Sequence, residues 1–258
     1  MKFDWDAYLD NGASPETVHH ILNATLGDWG VRTLESLVSL EDAASSLTQF
    51  VLGPILQWED EKVSTRLAMS NVASNEDWMN AVSHQWPHPP VREFLESAPP
   101  SCRKMVDVGR DEVTFYLDDL YQVEHEWSGP VPGPLLCAAL TWPENELTVM
   151  TRHDRFPREL LGDHADLFVP HAGRMPREGI WGVRWKGAVP VSVLCVTEVK
   201  TRKSIARAQR YLENRGELGP LVAFREAVEN AGLRPYLDSA ELFPSGRIDL
   251  TLGILGPA

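Results

Sequence analysis

Cysteine is scarce in this sequence, and so is positive charge. The three cysteines, Cys102, Cys137 and Cys195, are odd in number and far apart, which argues against a disulfide framework. Reduced thiols fit a reducing compartment, so we expect a cytoplasmic protein. The formal net charge of -13 argues against a general nucleic-acid-binding protein, because such a protein needs a basic surface.

Several motifs are also missing. The acidic N-terminus lacks the apolar segment of a secretory signal, and no apolar run approaches the roughly 20 residues that span a bilayer, so we predict no membrane partner. There is no Gly-rich phosphate loop, nucleophile elbow or cysteine pair, which disfavours nucleotide binding and serine-triad hydrolysis. His84 and His88 are four residues apart, but Pro87 interrupts helical geometry between them. We predict neither a metal nor another cofactor.

The composition is that of an ordinary globular protein, with 43% hydrophobic and 24% charged residues. A chain of 258 residues forms one large domain or two small ones. The negative charge is concentrated in residues 1–100, where 15 acidic residues face 5 basic ones. The remaining residues hold 22 acidic and 19 basic side chains.

The longest β-branched run, Ala188–Lys200, predicts an interior strand. Four strand pairs separated by turn residues predict hairpins in the second part of the chain. These pairs are 105–108 with 112–117, 135–142 with 146–152, 180–185 with 189–199, and 237–242 with 247–255. Short helices are expected at 158–168, 203–215 and 220–232, the last with Pro220 at its first position.

Residues 1–100 read as helical. Ser14 and Pro15 begin one helix that Gly27 ends, and further helices are predicted at 39–52, 55–69, 74–86 and 91–96. The pattern predicts an α+β fold in which this helical layer packs on a mainly antiparallel sheet over residues 101–258. We expect one compact domain, with a barrel of helix–hairpin repeats as a variant.

Polar residues share one face of several predicted strands, opposite an apolar face. They are Thr114 with Tyr116, Thr148 with Arg152, Glu198 with Lys200, and Arg247 with Asp249 and Thr251. In antiparallel sheets with this alternation, the polar face is most often exposed to solvent. In the alternative, the polar faces line a cavity, and Glu198 beside Lys200 and Arg247 is a candidate acid or base.

The predicted helix 203–215 is basic in an acidic protein. Lys203, Arg207 and Arg210 share one helical face by their spacing. Either an acidic protein surface, of this chain or of another subunit, or the phosphate or carboxylate of a ligand fits this face.

A second cluster of candidates lies between Arg66 and Glu96. It contains His84, Arg92 and Glu93 together with Trp78 and Trp86. Tryptophan is mostly a core residue, but several tryptophans can also form a slot for a flat aromatic substrate. In such a slot an arginine would hold the carboxylate of the substrate, and a glutamate would move a proton.

The order Arg66, His84, Glu93 resembles the Arg–His–Glu order of the microbial β-carboline-forming Pictet–Spenglerases. This resemblance implies a cofactor-independent acidic homodimer that condenses tryptophan or an analogue, with the glutamate as general base. The closing segment 239–255, which follows an amphipathic helix, resembles the soluble aromatic prenyltransferases. Their barrels repeat helix–helix–hairpin units around a polar interior, although residues 1–100 depart from that pattern here.

We therefore predict a biosynthetic enzyme that acts on a small aromatic or amine substrate by carboxylate acid–base catalysis. The rival interpretations are a non-catalytic acidic interaction protein and an aromatic prenyltransferase-like transferase. The predicted catalytic residues are Glu93, Glu198 and His84. The predicted substrate-binding residues are Arg66, Arg92, Trp86, Lys200 and Arg247.

Overall fold

The structure is a computed structural model that describes residues 14–42, 50–59, 62–71, 76–97, 102–118, 133, 135–153, 158–161, 179–197, 202–213, 215 and 218–256. Ten strands in this part of the chain form a closed antiparallel barrel. They are β1 (Phe50–Glu59), β2 (Lys62–Asn71), β3 (Arg103–Val108), β4 (Val113–Asp118), β5 (Leu135–Trp142), β6 (Glu146–His153), β7 (Gly179–Lys186), β8 (Val189–Thr197), β9 (Arg234–Leu242) and β10 (Ile248–Leu255).

Seven helices are described around the strands. They are α1 (Pro15–Leu26), α2 (Asp28–Asp42), α3 (Glu76–Gln85), α4 (Pro89–Glu96), α5 (Arg158–Leu161), α6 (Arg202–Leu212) and α7 (Gly219–Asn230). Helix α1 packs against α7, and both α6 and α7 pack on β9. Helix α4 packs on β4 and β5. The predicted α+β class with a mainly antiparallel sheet is confirmed, in its barrel variant.

The barrel consists of five hairpins in chain order. The pairs β1–β2, β3–β4, β5–β6, β7–β8 and β9–β10 each turn back directly, and β1 closes the ring by pairing with β10. All five turns therefore lie at one end of the barrel, which we call the hairpin end. The connections that carry the helices leave from the opposite end, which we call the helix end. A closed barrel has no unpaired strand edge.

The apolar side chains between helices and strands show which strand face points outward. Trp86, which follows α3, meets Phe115 of β4 edge to face, with ring centroids 5.4 Å apart. Both belong to the buried apolar core that the helices share with the barrel. Because side chains alternate along a strand, Thr114 and Tyr116 face the barrel interior.

The same alternation continues in the last strand. Leu250 and Leu252 of β10 belong to the helix-packed core. Asp249 and Thr251 alternate with them and face inward, opposite Glu241 and Ser239 of β9. The polar faces of β4 and β10, which the sequence left open between solvent and cavity, therefore belong to the barrel interior. Arg152 of β6 is exposed, and Glu198 and Lys200 lie outside the described residues.

Local sequence signals explain the elements that were predicted. Ser14 caps α1 by accepting a hydrogen bond from the Thr17 N–H at 3.2 Å, and Gly27 ends the helix with φ +67°. The tight turns of the β7–β8 and β9–β10 hairpins contain Gly187 and Gly246, both at positive φ. A residue with a Cβ rarely adopts a positive φ, so these glycines determine where the turns lie. The four predicted hairpins and helices α1, α3, α4, α6 and α7 are confirmed.

Two helices predicted in residues 39–69 are wrong. Helix α2 ends at Asp42, and strands β1 and β2 occupy 50–59 and 62–71. The apolar residues of this segment fit both helical and strand spacing, and pairing with β10 and β3 overrides their local preference. Pro54 is compatible with β1 because it lies outside the register from Ile55 to Trp58 that pairs β1 with β10.

The predicted boundary near residue 100 falls inside the barrel. Strand β2 pairs with β3 from Leu67↔Val108 to Asn71↔Lys104, so residues on both sides of that boundary belong to one sheet. The predicted helix 158–168 is present as α5 up to Leu161, and residues 162–168 lie outside the described residues. Within the described part of the chain, no helix has both the length and the apolar character needed to cross a membrane.

Candidate functional site

A charged network lies inside the barrel near the hairpin end. Arg184 of β7 donates from Nε to Glu241 Oε1 at 2.6 Å and from Nη2 to Glu241 Oε2 at 3.0 Å. Its Nη1 donates to the Thr148 hydroxyl of β6 at 3.2 Å, and the Ser192 hydroxyl of β8 donates to Glu241 Oε1. Four strands, β6 to β9, therefore meet at one bidentate guanidinium–carboxylate pair.

This network is shielded from solvent. The side chain of Arg184 is 10% exposed and that of Glu241 is 12% exposed. The guanidinium carbon of Arg184 also lies 5.6 Å from the ring centroid of Tyr116 on β4. Because β4 and β7 are separated by two strands, this contact crosses the interior and does not run along the barrel wall.

Pairing outweighs burial for both charged partners. Burial raises the pKa of Glu241, but Arg184 and Ser192 stabilise the carboxylate more strongly, and its pKa lies below the ordinary value. Burial likewise disfavours the Arg184 cation, but Glu241 and Tyr116 favour it, and its pKa lies well above the ordinary value. Glu241 is therefore an ionised carboxylate at neutral pH inside a closed barrel.

A second guanidinium–carboxylate pair lies beside the first. Arg247 donates from Nε to Asp249 Oδ1 at 3.0 Å and from Nη2 to Asp249 Oδ2 at 2.7 Å. Asp249 and Glu241 are directly opposite in the β9–β10 register. Arg247 also helps to lower the pKa of Glu241. Arg184, Glu241, Arg247 and Asp249 together form what we call the interior charge cluster.

The predicted site residues fall into separate places. Arg247 belongs to the interior charge cluster. His84, Arg92 and Glu93 are exposed on α3 and α4 in the outer helical layer, where Arg92 forms an ion pair with Glu96 at 2.6 Å. The structure does not bring these three residues together with Arg247.

Trp86 is buried in the layer between the helices and the outer face of β4. It therefore packs in the core on the far side of the strand from the interior. The register pairs Arg66 of β2 with Ile55 of β1, and the Arg66 side chain lies outside the described residues. Glu198 and Lys200 also lie outside the described residues, so their predicted roles stay predictions.

The central residues of the site, Arg184, Ser192 and Glu241, were missed by the sequence interpretation. The sequence signal for them is weak. Glu241 lies between the apolar residues Ala240 and Leu242, and Arg184 lies between Val183 and Trp185. A charged residue on the polar face of an alternating strand is compatible with solvent exposure as well, so the sequence alone gives it no partner.

The basic face predicted for residues 203–215 lies on α6. Arg207 is half-buried and Arg210 is exposed, and Arg210 Nε donates to the Ala206 carbonyl at 3.3 Å. Neither Arg207 nor Arg210 forms an ion pair with an acidic side chain of the described residues, and the side chain of Lys203 lies outside them. The choice between an acidic surface and an anionic ligand stays a prediction.

Outside the barrel interior, the remaining candidates in the described part of the chain are a metal site and a surface cleft. Among the described residues, no three histidine, cysteine or carboxylate side chains are close enough together to hold a metal ion. An open surface cleft of about 450 Å³ lies on α1 and α2 and contains His19, His20, Arg32 and Glu35. His88 does not reach this cleft, because its ring stacks on Trp142 with centroids 4.3 Å apart.

Comparisons with known proteins identify the fold. No protein-family model and no curated protein sequence matches the chain. Among solved structures, a 6-dimethylallyl tryptophan synthase is similar to this chain with a TM-score of 0.62 and 11% sequence identity. The similarity covers 95% of this chain and 98% of that one. The chain therefore has the fold of a dimethylallyl tryptophan synthase over nearly its whole length, and the second of the two sequence resemblances is the one that the fold supports.

Proposed function

We propose that this protein transfers a prenyl group from a prenyl diphosphate to a small aromatic acceptor inside the barrel. The observation that carries the proposal is the ionised carboxylate of Glu241, enclosed with Arg184 in the interior of this fold. The similar structure is named for the attachment of a dimethylallyl group to tryptophan. A fold supports many activities, so the chemistry depends on the residues of the barrel interior.

The reaction needs an acceptor carbon, a leaving group and a base. The allylic carbon–oxygen bond of the donor breaks, and its electron pair leaves with the diphosphate. The aromatic π electrons form the new carbon–carbon bond, and the ring carbon then loses its proton to restore aromaticity. Each step needs a specific kind of side chain in a site that excludes water.

Glu241 is the proposed base. The proton on a cationic ring intermediate is strongly acidic, so a carboxylate with a lowered pKa still accepts it readily. Arg184 and Ser192 hold both carboxylate oxygens in fixed positions, which preorganises the base. The Tyr116 ring, which already lies near the Arg184 cation, would stabilise an allylic cation through its π face.

Arg184 and Arg247 are the proposed diphosphate-binding residues. Guanidinium groups bind phosphate oxygens through paired N–H donors. Arg184 uses three of its five N–H donors on Glu241 and Thr148. The remaining donors of its guanidinium would bind an oxygen of the leaving group while the carboxylate stays paired.

The test is direct. Purified protein is incubated with dimethylallyl diphosphate and L-tryptophan, and with longer prenyl diphosphates and hydroxynaphthalenes, and prenylated products are measured by mass spectrometry. Glu241→Gln should lower kcat by about a hundredfold or more, the usual contribution of a positioned base. Glu96→Gln, which changes an exposed carboxylate of α4, is the matched control and should keep the wild-type rate.

Two results would contradict the proposal. Product formation by Glu241→Gln at the wild-type rate would remove Glu241 as the base. Absence of product for every donor and acceptor pair with folded wild-type protein would remove prenyl transfer. Glu241→Asp serves as a second variant if Glu241→Gln is unstable, and circular dichroism verifies that each variant is folded.

The other interpretations receive less support. The Pictet–Spenglerase resemblance depends on Arg66, His84 and Glu93, and two of these side chains are exposed on outer helices. The non-catalytic interpretation expects the polar strand faces on the exterior, whereas Arg247 and Asp249 are paired in the interior. Loss of turnover in Glu93→Gln with normal turnover in Glu241→Gln would favour the Pictet–Spenglerase interpretation.

A further inference from the structure

Gly253 of β10 provides a seat for an aromatic ring. It lies directly opposite Tyr236 in the β9–β10 register. A Cβ built on Gly253 would lie 2.2 Å from Tyr236 Cζ and 2.4 Å from both Cε1 and the phenol oxygen. The phenol end of the Tyr236 ring therefore rests on the backbone of Gly253, in space that any other residue would fill.

The seated ring belongs to the barrel interior. Leu252 of β10 and Leu237 of β9 are part of the helix-packed core, and Gly253 and Tyr236 alternate with them. Tyr236 is 6% exposed and yet lies outside that core. One face of its ring is covered by the β10 backbone, so the opposite face is directed into the barrel.

Glycine is unfavourable in the interior of a strand such as β10, because it loses more conformational freedom on folding than other residues and has no side chain to pack. A second interior glycine, Gly182 of β7, differs in its neighbour. A Cβ there would meet Met150 Sδ at 2.9 Å, which is the end of a flexible side chain. A tyrosine ring has only two side-chain torsions and cannot move aside in the same way. Gly253 therefore fixes the ring position of Tyr236, whereas Gly182 only makes room.

We propose that Tyr236, held against Gly253, is the wall on which a flat aromatic acceptor stacks, and that Gly253 is its positioning residue. This inference rests on the proposed function, and it assigns the acceptor class as a planar, fused or substituted aromatic ring. Offset stacking on an aromatic face requires a fixed separation between the two rings, so a displaced Tyr236 ring would narrow the acceptor space.

The experiment measures acceptor binding without any donor. L-tryptophan and 1,6-dihydroxynaphthalene are the probes, and their dissociation constants are measured by calorimetry on the full chain. Gly253→Ala should weaken binding of the probe that the wild-type protein binds by about tenfold or more, as should Tyr236→Leu, because the stacking face is displaced or removed. Tyr236→Phe keeps the ring and should bind within about threefold of wild type.

Gly232→Ala is the matched control. Gly232 lies in the turn after α7 at φ +76°, where a Cβ would contact nothing within 4 Å. Gly232→Ala strains the backbone at a positive φ, but Gly232 lies in the turn before β9 and its added Cβ would touch no side chain, so it should lower thermal stability without changing probe affinity. If the role of Gly253 were only structural, Gly253→Ala would likewise lower thermal stability and leave probe affinity unchanged.

The outcomes separate the two proposals. Wild-type affinity in both Gly253→Ala and Tyr236→Leu overturns the stacking wall, and so does a wild-type protein that binds neither probe. Probe binding that responds to these substitutions, without prenyl transfer from any donor, supports the wall and overturns the proposed function alone. If Gly253→Ala does not fold, Tyr236→Leu, which keeps the glycine, decides the question.

Discussion

Substitution of Arg184 by methionine should strongly destabilise the protein at neutral pH. Methionine keeps most of the side-chain length and removes the cation, so Glu241 would stay buried without its bidentate partner. Removal of one partner from a buried ion pair costs about 3–5 kcal/mol, because the remaining charge is not solvated. For a chain of this size, that loss lowers the unfolding midpoint by roughly 6–20 °C.

The chain provides a control with the same contact distance. Arg92 and Glu96 on α4 also form a 2.6 Å ion pair, but their side chains are 58% and 51% exposed. Exposed pairs contribute about 0–1 kcal/mol, so Arg92→Met should lower the free energy of unfolding by about 1 kcal/mol at most. Urea unfolding of both variants, followed by tryptophan fluorescence, compares the loss of a buried bidentate pair with the loss of an exposed pair that has the same Nε–Oε1 distance.

The pH dependence of the free energy of unfolding provides an independent test, because it should have opposite signs in the wild type and the variant. In the wild type the pKa of Glu241 is lowered on folding, so its contribution is present above the unfolded value of 4.5 and is lost as pH falls through the folded pKa. In Arg184→Met, burial has the largest influence on the pKa of Glu241 and is opposed only by Ser192 and Arg247, so we expect that pKa to rise. Between pH 4.5 and that raised pKa, the variant should therefore gain stability as pH falls. Equal losses for Arg184→Met and Arg92→Met, or an unchanged pH slope, would refute this reasoning.

Two further stability predictions concern the outer layer and the first helix. Trp86→Ala should cost about 3–5 kcal/mol by leaving a cavity against Phe115, and it should leave the KM of any identified acceptor unchanged. Urea unfolding and steady-state kinetics measure the two quantities, and an altered KM with normal stability would return Trp86 to the substrate site. Ser14→Ala should cost about 1 kcal/mol, because the Thr17 N–H loses its acceptor. Ser14→Asp is its control and should keep the wild-type midpoint.

Much of the fold followed from short-range patterns. The turn residues around Gly187 and Gly246 specify two hairpins, because positive φ is a local requirement that glycine meets. The Ser14–Pro15 start and the Gly27 end specify α1 in the same local way. Strands β1 and β2 had no such signal, since the same apolar spacing around residues 55–69 fits a helix and a strand.

The candidate site depended on long-range pairing. Arg247 directly precedes β10 and is two residues from Asp249, so their proximity was predictable from the sequence, and Arg247 was among the predicted residues. Arg184 and Glu241 are 57 residues apart and lie on strands that are not neighbours. Their contact exists only because the sheet curves into a barrel and turns both side chains inward.

The sequence by itself determined the α+β class, the caps of the helices, the turns of the later hairpins and the alternation of polar and apolar strand faces. Each of these depends on residues close together in the chain. Only the tertiary structure decided that the polar faces point inward. Closure of β1 onto β10 encloses them, and burial then makes Arg184 the necessary partner of Glu241.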